Sequence, residues 1–335
     1  MATSLPVVSA SGAAELRDAQ NRHIKYVRIS LTDRCNFRCS YCSPLGLDDP
    51  RDDPLTRPEV ARLVGIFARL GVKRVRLTGG EPTLRRDLVG IVADMHGTPG
   101  IEEVALTTNG QFMAELAGPL REAGLSRLNI SLDTLDPAKL HRISGKAAVL
   151  HRVVGGIEAA SRAGFASVKI NVVVVRGAND DELGTLARFA WSMGMTARFI
   201  ELMPFGEGEP VPTSEVKQIL ERQGIHLHPD ATKGWGPAYH MRGITDDGAT
   251  GLVGFIGAMT ENFCEGCNRV RVGADGSLRA CLGGRDRVPL KDLLRAGAPD
   301  DAIEARIRDA LARKAPHHEM PARKHKLLPM IGYGG

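Results

Sequence analysis

Aromatic side chains are scarce in this chain: Phe, Trp and Tyr make up 4% of its 335 residues. That scarcity argues against a protein that holds single strands by stacking on their bases. Long apolar runs are missing as well. The longest aliphatic block, Val172 to Val175 between Asn171 and Arg176, has strand length, far short of the roughly 18 residues a membrane span needs. The first twenty residues lack a basic stretch followed by an apolar core, so no export signal is expected. Strong charge of one sign is absent too. Lys plus Arg total 44 and Asp plus Glu 39, a net charge of +5, which suits an anionic small molecule at least as well as nucleic acid. With 43% apolar and 25% charged residues, the expectation is a folded, soluble, cytoplasmic protein with no membrane and no nucleic-acid partner.

Cysteine is missing from the whole middle of the chain. The six cysteines fall as Cys35, Cys39 and Cys42, then Cys264, Cys267 and Cys281. Clustered cysteines without an export signal point to metal ligands before disulfides.

Between the two sets runs a repeat of short β-branched stretch, turn and amphipathic helix. Strands are predicted at Tyr26–Leu31, Arg74–Thr78, Glu103–Thr107, Arg127–Leu132, Val168–Val175 and Ala197–Leu202. Helices are predicted at Arg57–Leu70, Asp87–His96, Phe112–Ala123, Leu150–Ala163 and Asp180–Met193. Gly71, Gly124, Gly164 and Gly194 follow four of these helices, where a left-handed cap is wanted. Strands alternating with helices imply a parallel α/β sheet with right-handed crossovers. Six units suit a partial (β/α)6 barrel of the TIM type, an open doubly wound sheet being the alternative. After Met203 the pattern breaks. One more helix is expected at Thr213–Gln223, then short antiparallel strands at Gly251–Ile256, Arg269–Val272 and Ser277–Cys281, with a hairpin turn at Ala274-Asp275-Gly276. Pro289–Leu294 and Asp301–Arg313 read as helical. The domains expected are a flexible tail over 1–21, a partial barrel over 22–234 and a C-terminal α+β region over 235–335.

Cys35-x3-Cys39-x2-Cys42 follows the first strand, at the mouth where parallel α/β folds place ligands. Three thiolates can hold a 4Fe-4S cluster and leave one iron open to a chelating ligand. A zinc site completed by histidine is the alternative, although the nearest, His23, precedes the strand. Gly79-Gly80-Glu81-Pro82 follows the second strand; its glycines would let the backbone approach a ligand, and its carboxylate or carbonyls could accept from an ammonium group. Cys264-x2-Cys267-x13-Cys281 resembles half a zinc ribbon but lacks the second pair, which favours a second cluster with one open iron. Asn268-Arg269-Val270-Arg271 follows, and alternation puts Arg269 and Arg271 on one face, a site for polyphosphate or carboxylate. Arg28 and Arg76 interrupt the apolar stretches Val27-Arg28-Ile29 and Val75-Arg76-Leu77, and Lys169 lies between Val168 and Ile170. If the aliphatic neighbours face the helices, these cations face the interior, where they need anionic partners.

The first triad, with Tyr41 before its last cysteine, resembles the signature of the radical S-adenosylmethionine (SAM) superfamily. Thr107-Thr108-Asn109-Gly110, Asn129-Ile130-Ser131-Leu132-Asp133, Arg198-Phe199-Ile200-Glu201-Leu202-Met203, the block from Phe263 to Arg271 and the terminal Gly334-Gly335 follow in order. Together they resemble the GTP 3′,8-cyclase family of molybdenum cofactor biosynthesis over about residues 22–335. The resemblance implies two 4Fe-4S clusters, with SAM at the first, contacted by Tyr41, Gly80, Ser131 and Met203. It implies GTP contacts from Arg28, Arg76, Thr107, Lys169, Arg269, Val270 and Arg271. It further implies an adenosyl radical that takes hydrogen from C3′ of the ribose, after which that carbon attacks C8 of guanine. The second cluster would hold the purine, the C-terminal region would form a lid, and the Gly-Gly tail would reach into the site, although Tyr333 departs from the usual Ile-Gly-Gly spelling. A flavodoxin or ferredoxin as electron donor and a homodimer are expected on the same ground. Arg323 to Lys326 reads as a solvated basic run. Two other functions compete: a peptide-modifying radical SAM enzyme with an auxiliary cluster, and a zinc-stabilised nucleic-acid-binding protein.

Overall fold

Each predicted strand–helix unit is present in the computed structural model, which describes residues 15–42, 53–232, 234, 236–284, 286–318, 320 and 330. The Gly-Gly tail and the basic run at 323–326 lie outside the described residues. The chain runs β1 (Tyr26–Ser30), α1 (Arg57–Arg69), β2 (Arg74–Thr78), α2 (Leu88–His96), β3 (Glu103–Thr108), α3 (Met113–Glu122) and β4 (Arg127–Ser131). It continues through α4 (Pro137–Ser144), α5 (Leu150–Arg162), β5 (Ser167–Val174), α6 (Leu183–Ser192), β6 (Thr196–Glu201) and α7 (Thr213–Arg222). The C-terminal part adds β7 (Ile225–Pro229), β8 (Tyr239–Thr245), β9 (Thr250–Ile256), β10 (Arg269–Val272), β11 (Ser277–Arg279), β12 (Val288–Pro289), α8 (Leu290–Arg295) and α9 (Asp300–Ala312).

Local chemistry explains the boundaries. At α1, Thr56 accepts from the Glu59 amide and Glu59 accepts from the Thr56 amide, a reciprocal cap with a proline in the first turn. The four expected C-cap glycines have φ between +71° and +99°, the left-handed region that a Cβ disfavours. Helix α4 was not foreseen. Its signal is Asp136 before Pro137, the aspartate accepting from the amides of Ala138 and Lys139.

Strands β1 to β6 pair in sequence and in parallel, as a (β/α)6 unit requires. Alternation sorts their side chains. Val27, Ile29, Val75, Leu77, Leu106, Leu128, Ile130, Ile170 and Val172 are all fully buried and join the helices in one core, each such burial contributing about 1.5–3 kcal/mol. The opposite face carries the polar partners. The C-terminal strands do not form a separate antiparallel unit as expected. β9 pairs in parallel with β6, and β10 pairs in parallel with β1. The sheet therefore has eight parallel strands, flanked by β8–β7 at one edge and β11–β12 at the other. Such long-range pairing carries no local sequence signal.

The assignment of 1–21 to a tail is corrected for residues 15–21. Leu16 and Asp18 are buried, the Leu16 amide donates to Leu70 O and the Ala19 amide to Leu311 O. One leucine and one aspartate in a polar stretch gave no periodicity from which to foresee this.

Candidate active site

The polar faces of the parallel strands surround a cavity of about 370 Å³, a volume usual for small-molecule sites. All six cysteines line it. The first triad follows β1 and so sits at the C-terminal mouth. Cys264 and Cys267 precede β10, which runs parallel to β1, and Cys281 follows β11, antiparallel to β10. The second triad therefore sits at the opposite end of the strands.

Between the triads lies a basic wall, with eight Lys or Arg lining residues against three acidic ones. Arg271, Arg28 and Arg76 stand side by side in register on β10, β1 and β2. Burial first, then Arg271 and Arg76 beside it, drive the Arg28 guanidinium well below its usual value. Burial and then Arg269 bring Arg271 down to about 10. Arg76 donates to the Tyr26 hydroxyl and, at 3.3 Å, to Thr107 Oγ1. Lys169 is brought down to about 7 by burial, then by Arg198 and Arg127. Like charges on neighbouring strands repel, so this wall is arranged for an anion with several charges. Arg74, whose position was open between patch and rim, lines the cavity and pairs with Glu103 at 3.5 Å.

The first triad sits on a tightly tied loop. Its thiols are raised by burial, Cys35 to about 11 and Cys42 to about 12, and Cys39 well above its usual value by burial and Asp133. Left alone they stay neutral, and a metal's positive charge is what would ionise them. Buried thiols converging on one cavity wall thus fit an iron–sulfur cluster. The second triad differs. Against the effect of burial, Arg269 and Lys314 bring Cys267 down to about 7. Among the described residues no three His, Cys, Asp or Glu side chains close on a single metal ion; each triad is recognised by its shared position and mutual electrostatic coupling.

Gly79, Gly80 and Glu81 of the Gly79-Gly80-Glu81-Pro82 turn line the cavity, and the turn also has a structural part. A Cβ on Gly80 would lie 2.1 Å from Arg34 O, and one on Gly79 2.9 Å from Thr32 O. The glycines let this turn press against the cysteine loop, with Gly80 N donating to Thr32 O at 2.6 Å and Glu81 N to Arg34 O at 2.8 Å. Glu81 is 1% exposed. Its carboxylate accepts from Thr83 N, Thr83 Oγ1, Thr108 Oγ1 and Asn109 N. It knits the loops together through three donors on Oε1 and one on Oε2, which leaves Oε2 and the backbone carbonyls of the turn as the acceptors open to an ammonium group.

Tyr41, Gly80, Ser131 and Met203 all line the cavity, as do Arg28, Arg76, Thr107, Lys169, Arg269 and Arg271. Val270 does not. Its side chain is fully buried in the core on the opposite face, because alternation that turns Arg269 and Arg271 inward turns Val270 outward. Any ligand contact from Val270 is left to its main chain.

Among the lining residues, Asp133 and Arg198 stand in motifs quoted from the sequence but were given no role of their own, and His240 was not singled out at all. Asp133 accepts from the Tyr41 hydroxyl at 2.6 Å and from the Val173 amide at 2.8 Å, and burial raises its pKa to about 6. It ties the last turn of the cysteine loop to β5. Arg198 is brought down to about 10 by burial and then by Arg76. It lies between Ala197 and Phe199, the same signal that marked Arg28. His240 on β8 had no such signal, since its strand was not foreseen.

A parallel sheet with three cysteines at its C-terminal mouth is the arrangement of a radical SAM protein. The Radical SAM superfamily model matches residues 29–190, and a model described as Molybdenum Cofactor Synthesis C matches 195–320. The structure of SuiB from Streptococcus suis bound to S-adenosylmethionine shares the fold, with a TM-score of 0.59 at 15% identity over 86% of this chain and 69% of that one. The chain belongs to the GTP 3′,8-cyclase family. It is 44% identical to the GTP 3′,8-cyclase of Heliobacterium modesticaldum over 90% of this chain and 94% of that protein. It is 42% identical to the one from Moorella thermoacetica over 95% and 100%. The mitochondrial GTP 3′,8-cyclase of Arabidopsis thaliana is 40% identical over 96% and 83%. Membership implies SAM and an iron–sulfur cluster. Among the described residues no helix is long and apolar enough to cross a membrane.

Proposed function

We propose that this protein is a SAM-dependent GTP 3′,8-cyclase, converting GTP into (8S)-3′,8-cyclo-7,8-dihydroguanosine 5′-triphosphate, the first step of molybdenum cofactor biosynthesis. The observation that carries the reading is the basic wall between two cysteine triads at opposite ends of one cavity. When bound, SAM and the first cluster supply a 5′-deoxyadenosyl radical. The chain's own residues do the rest by placement. Cys35, Cys39 and Cys42 hold the first cluster. Tyr41, Gly80, Ser131 and Met203 surround SAM at that mouth. Arg28, Arg76, Thr107, Lys169, Arg269 and Arg271 hold the triphosphate, and Cys264, Cys267 and Cys281 hold a second cluster on the guanine side. His318, Met320 and Met330 from the C-terminal segment also line the cavity, and the Met330 amide donates to Cys42 O at 3.1 Å. They help to exclude water from a radical site.

A peptide-modifying enzyme of the superfamily gives no account of eight cations around one cavity. Anaerobic incubation with GTP, SAM and dithionite, followed by mass spectrometry and NMR of the product, tests the proposal. The expected result is the 3′,8-cyclised nucleotide with 5′-deoxyadenosine; cleavage of SAM that GTP neither stimulates nor consumes would overturn it. A flavodoxin or ferredoxin as the natural reductant and a homodimeric state complete the proposal.

The lowered pKa of Lys169 gives this reading a pH signature. In the empty cavity its ammonium is lost as pH rises through about 7. A bound triphosphate favours the charged form, so binding takes up a proton, and affinity falls as pH rises above 7. Calorimetry at pH 7.5 in buffers of different ionisation enthalpy is expected to show that uptake, and Lys169→Met to remove it. An equal uptake in Lys169→Met would assign the proton elsewhere.

A further inference from the structure

Beneath the second triad lies a buried ionic group that the proposed chemistry does not use. The Lys314 side chain is 2% exposed and that of Asp18 0%. Lys314 Nζ is 3.6 Å from Cys267 Sγ, 3.0 Å from Arg269 O and 3.5 Å from Asp18 Oδ2. Asp18 Oδ2 also pairs with Arg22 Nε at 2.7 Å, and Arg22 Nη1 donates to Cys264 O at 2.7 Å. Asp18 Oδ1 accepts from the Gln20 and Arg22 amides. One carboxylate thus steers two cations, the buried Lys314 onto a thiol and the partly buried Arg22 onto the backbone of another cysteine.

A buried ion group of this kind costs desolvation that hydrophobic residues would avoid. Its hydrogen bonds to backbone groups account for part of that cost, but not for an ammonium set against a thiol. Its placement has a purpose if the sulfur carries a cluster, because donors and charge beside a cluster's sulfurs set its reduction potential. We propose that Lys314, held in place by Asp18, is a positioning residue that raises the reduction potential of the cluster on Cys264, Cys267 and Cys281; this rests on the second-cluster reading above. An ammonium beside the sulfur favours the added electron, and the aspartate behind it moderates that effect. Arg269, the other cation facing Cys267, is unchanged in every comparison below.

The two partners have opposite signs, which separates tuning from mere support. The test uses the full chain with Cys35, Cys39 and Cys42 all replaced by alanine, reconstituted anaerobically, so that only the second cluster is read. Iron and sulfide analysis should give about four irons per chain, and a redox titration followed by electron paramagnetic resonance gives the midpoint potential. Lys314→Met is expected to lower the reduction equilibrium constant at least tenfold, about 59 mV for a one-electron couple. Asp18→Asn is expected to raise the potential, and Lys314→Arg to stay near the parent. A chain that binds no iron overturns the second-cluster reading itself. Four irons with an unchanged potential in both Lys314→Met and Asp18→Asn, or shifts of the same sign, overturn the tuning role alone. Should Lys314→Met fail to load iron, Asp18→Asn decides: a raised potential supports the proposal and an unchanged or lowered one overturns it.

Discussion

Alanine at Cys39 is expected to reduce 5′-deoxyadenosine formation to background, whereas alanine at Cys267 is expected to leave part of it while abolishing the cyclised nucleotide. The two triads sit at opposite ends of the strands, so each substitution removes one centre and spares the other. Cys39 has no protein replacement: its thiol is buried, and the carboxylate nearby, Asp133, disfavours rather than supports ionisation. Losing it leaves two thiols for a cluster that needs three. At the other end, Cys267 faces Arg269 of β10 and Lys314. Iron should fall from about eight to about four per chain in either variant. Normal 5′-deoxyadenosine in Cys39→Ala would remove the first triad from SAM chemistry. Undiminished nucleotide product in Cys267→Ala would remove the second triad from substrate positioning.

Alternation made the scaffold legible. Every strand from β1 to β6 has aliphatic residues on the helix side, and the cations Arg28, Arg76 and Lys169 stood out because they broke an apolar run while keeping period two. Arg198 carries the same mark and could have been found by it. The left-handed glycines were legible because only local sterics decide them. Four features were not. The parallel pairing of β9 with β6 and of β10 with β1 depends on chain segments far apart in sequence, and no residue records its distant neighbour. The role of Glu81 followed from four donors on two loops that meet only in the fold. The pairing of Asp18 with Lys314 joins two lone residues near opposite ends of the chain. Val270 shows the limit of a motif: its neighbours point into the cavity, but a single-residue step in a strand reverses the face and leaves only its main chain to face a ligand.

The row formed by Arg271, Arg28 and Arg76 leads to the second large effect, in which binding and stability move in opposite directions. Three guanidiniums in register on adjacent strands raise the energy of the cavity when no anion is bound, as the lowering of Arg28 by burial and by Arg271 shows. A triphosphate reverses the balance, since each charge-assisted bond to it is worth on the order of 1.5–3 kcal/mol. Arg28→Met is therefore expected to weaken GTP binding roughly 10- to 150-fold. The same change replaces a buried charge by an apolar chain of similar length, which relieves repulsion and desolvation. The ligand-free variant should melt at a higher temperature than the parent, and GTP should raise that temperature less. Arg271→Met is expected to behave alike, and to impair SAM binding less than GTP binding, because the proposed SAM site is at the other mouth. Anaerobic calorimetry with each ligand and thermal melts with and without GTP check both signs. Unchanged GTP affinity together with a lower melting temperature would show that these arginines brace the sheet and that the triphosphate sits elsewhere.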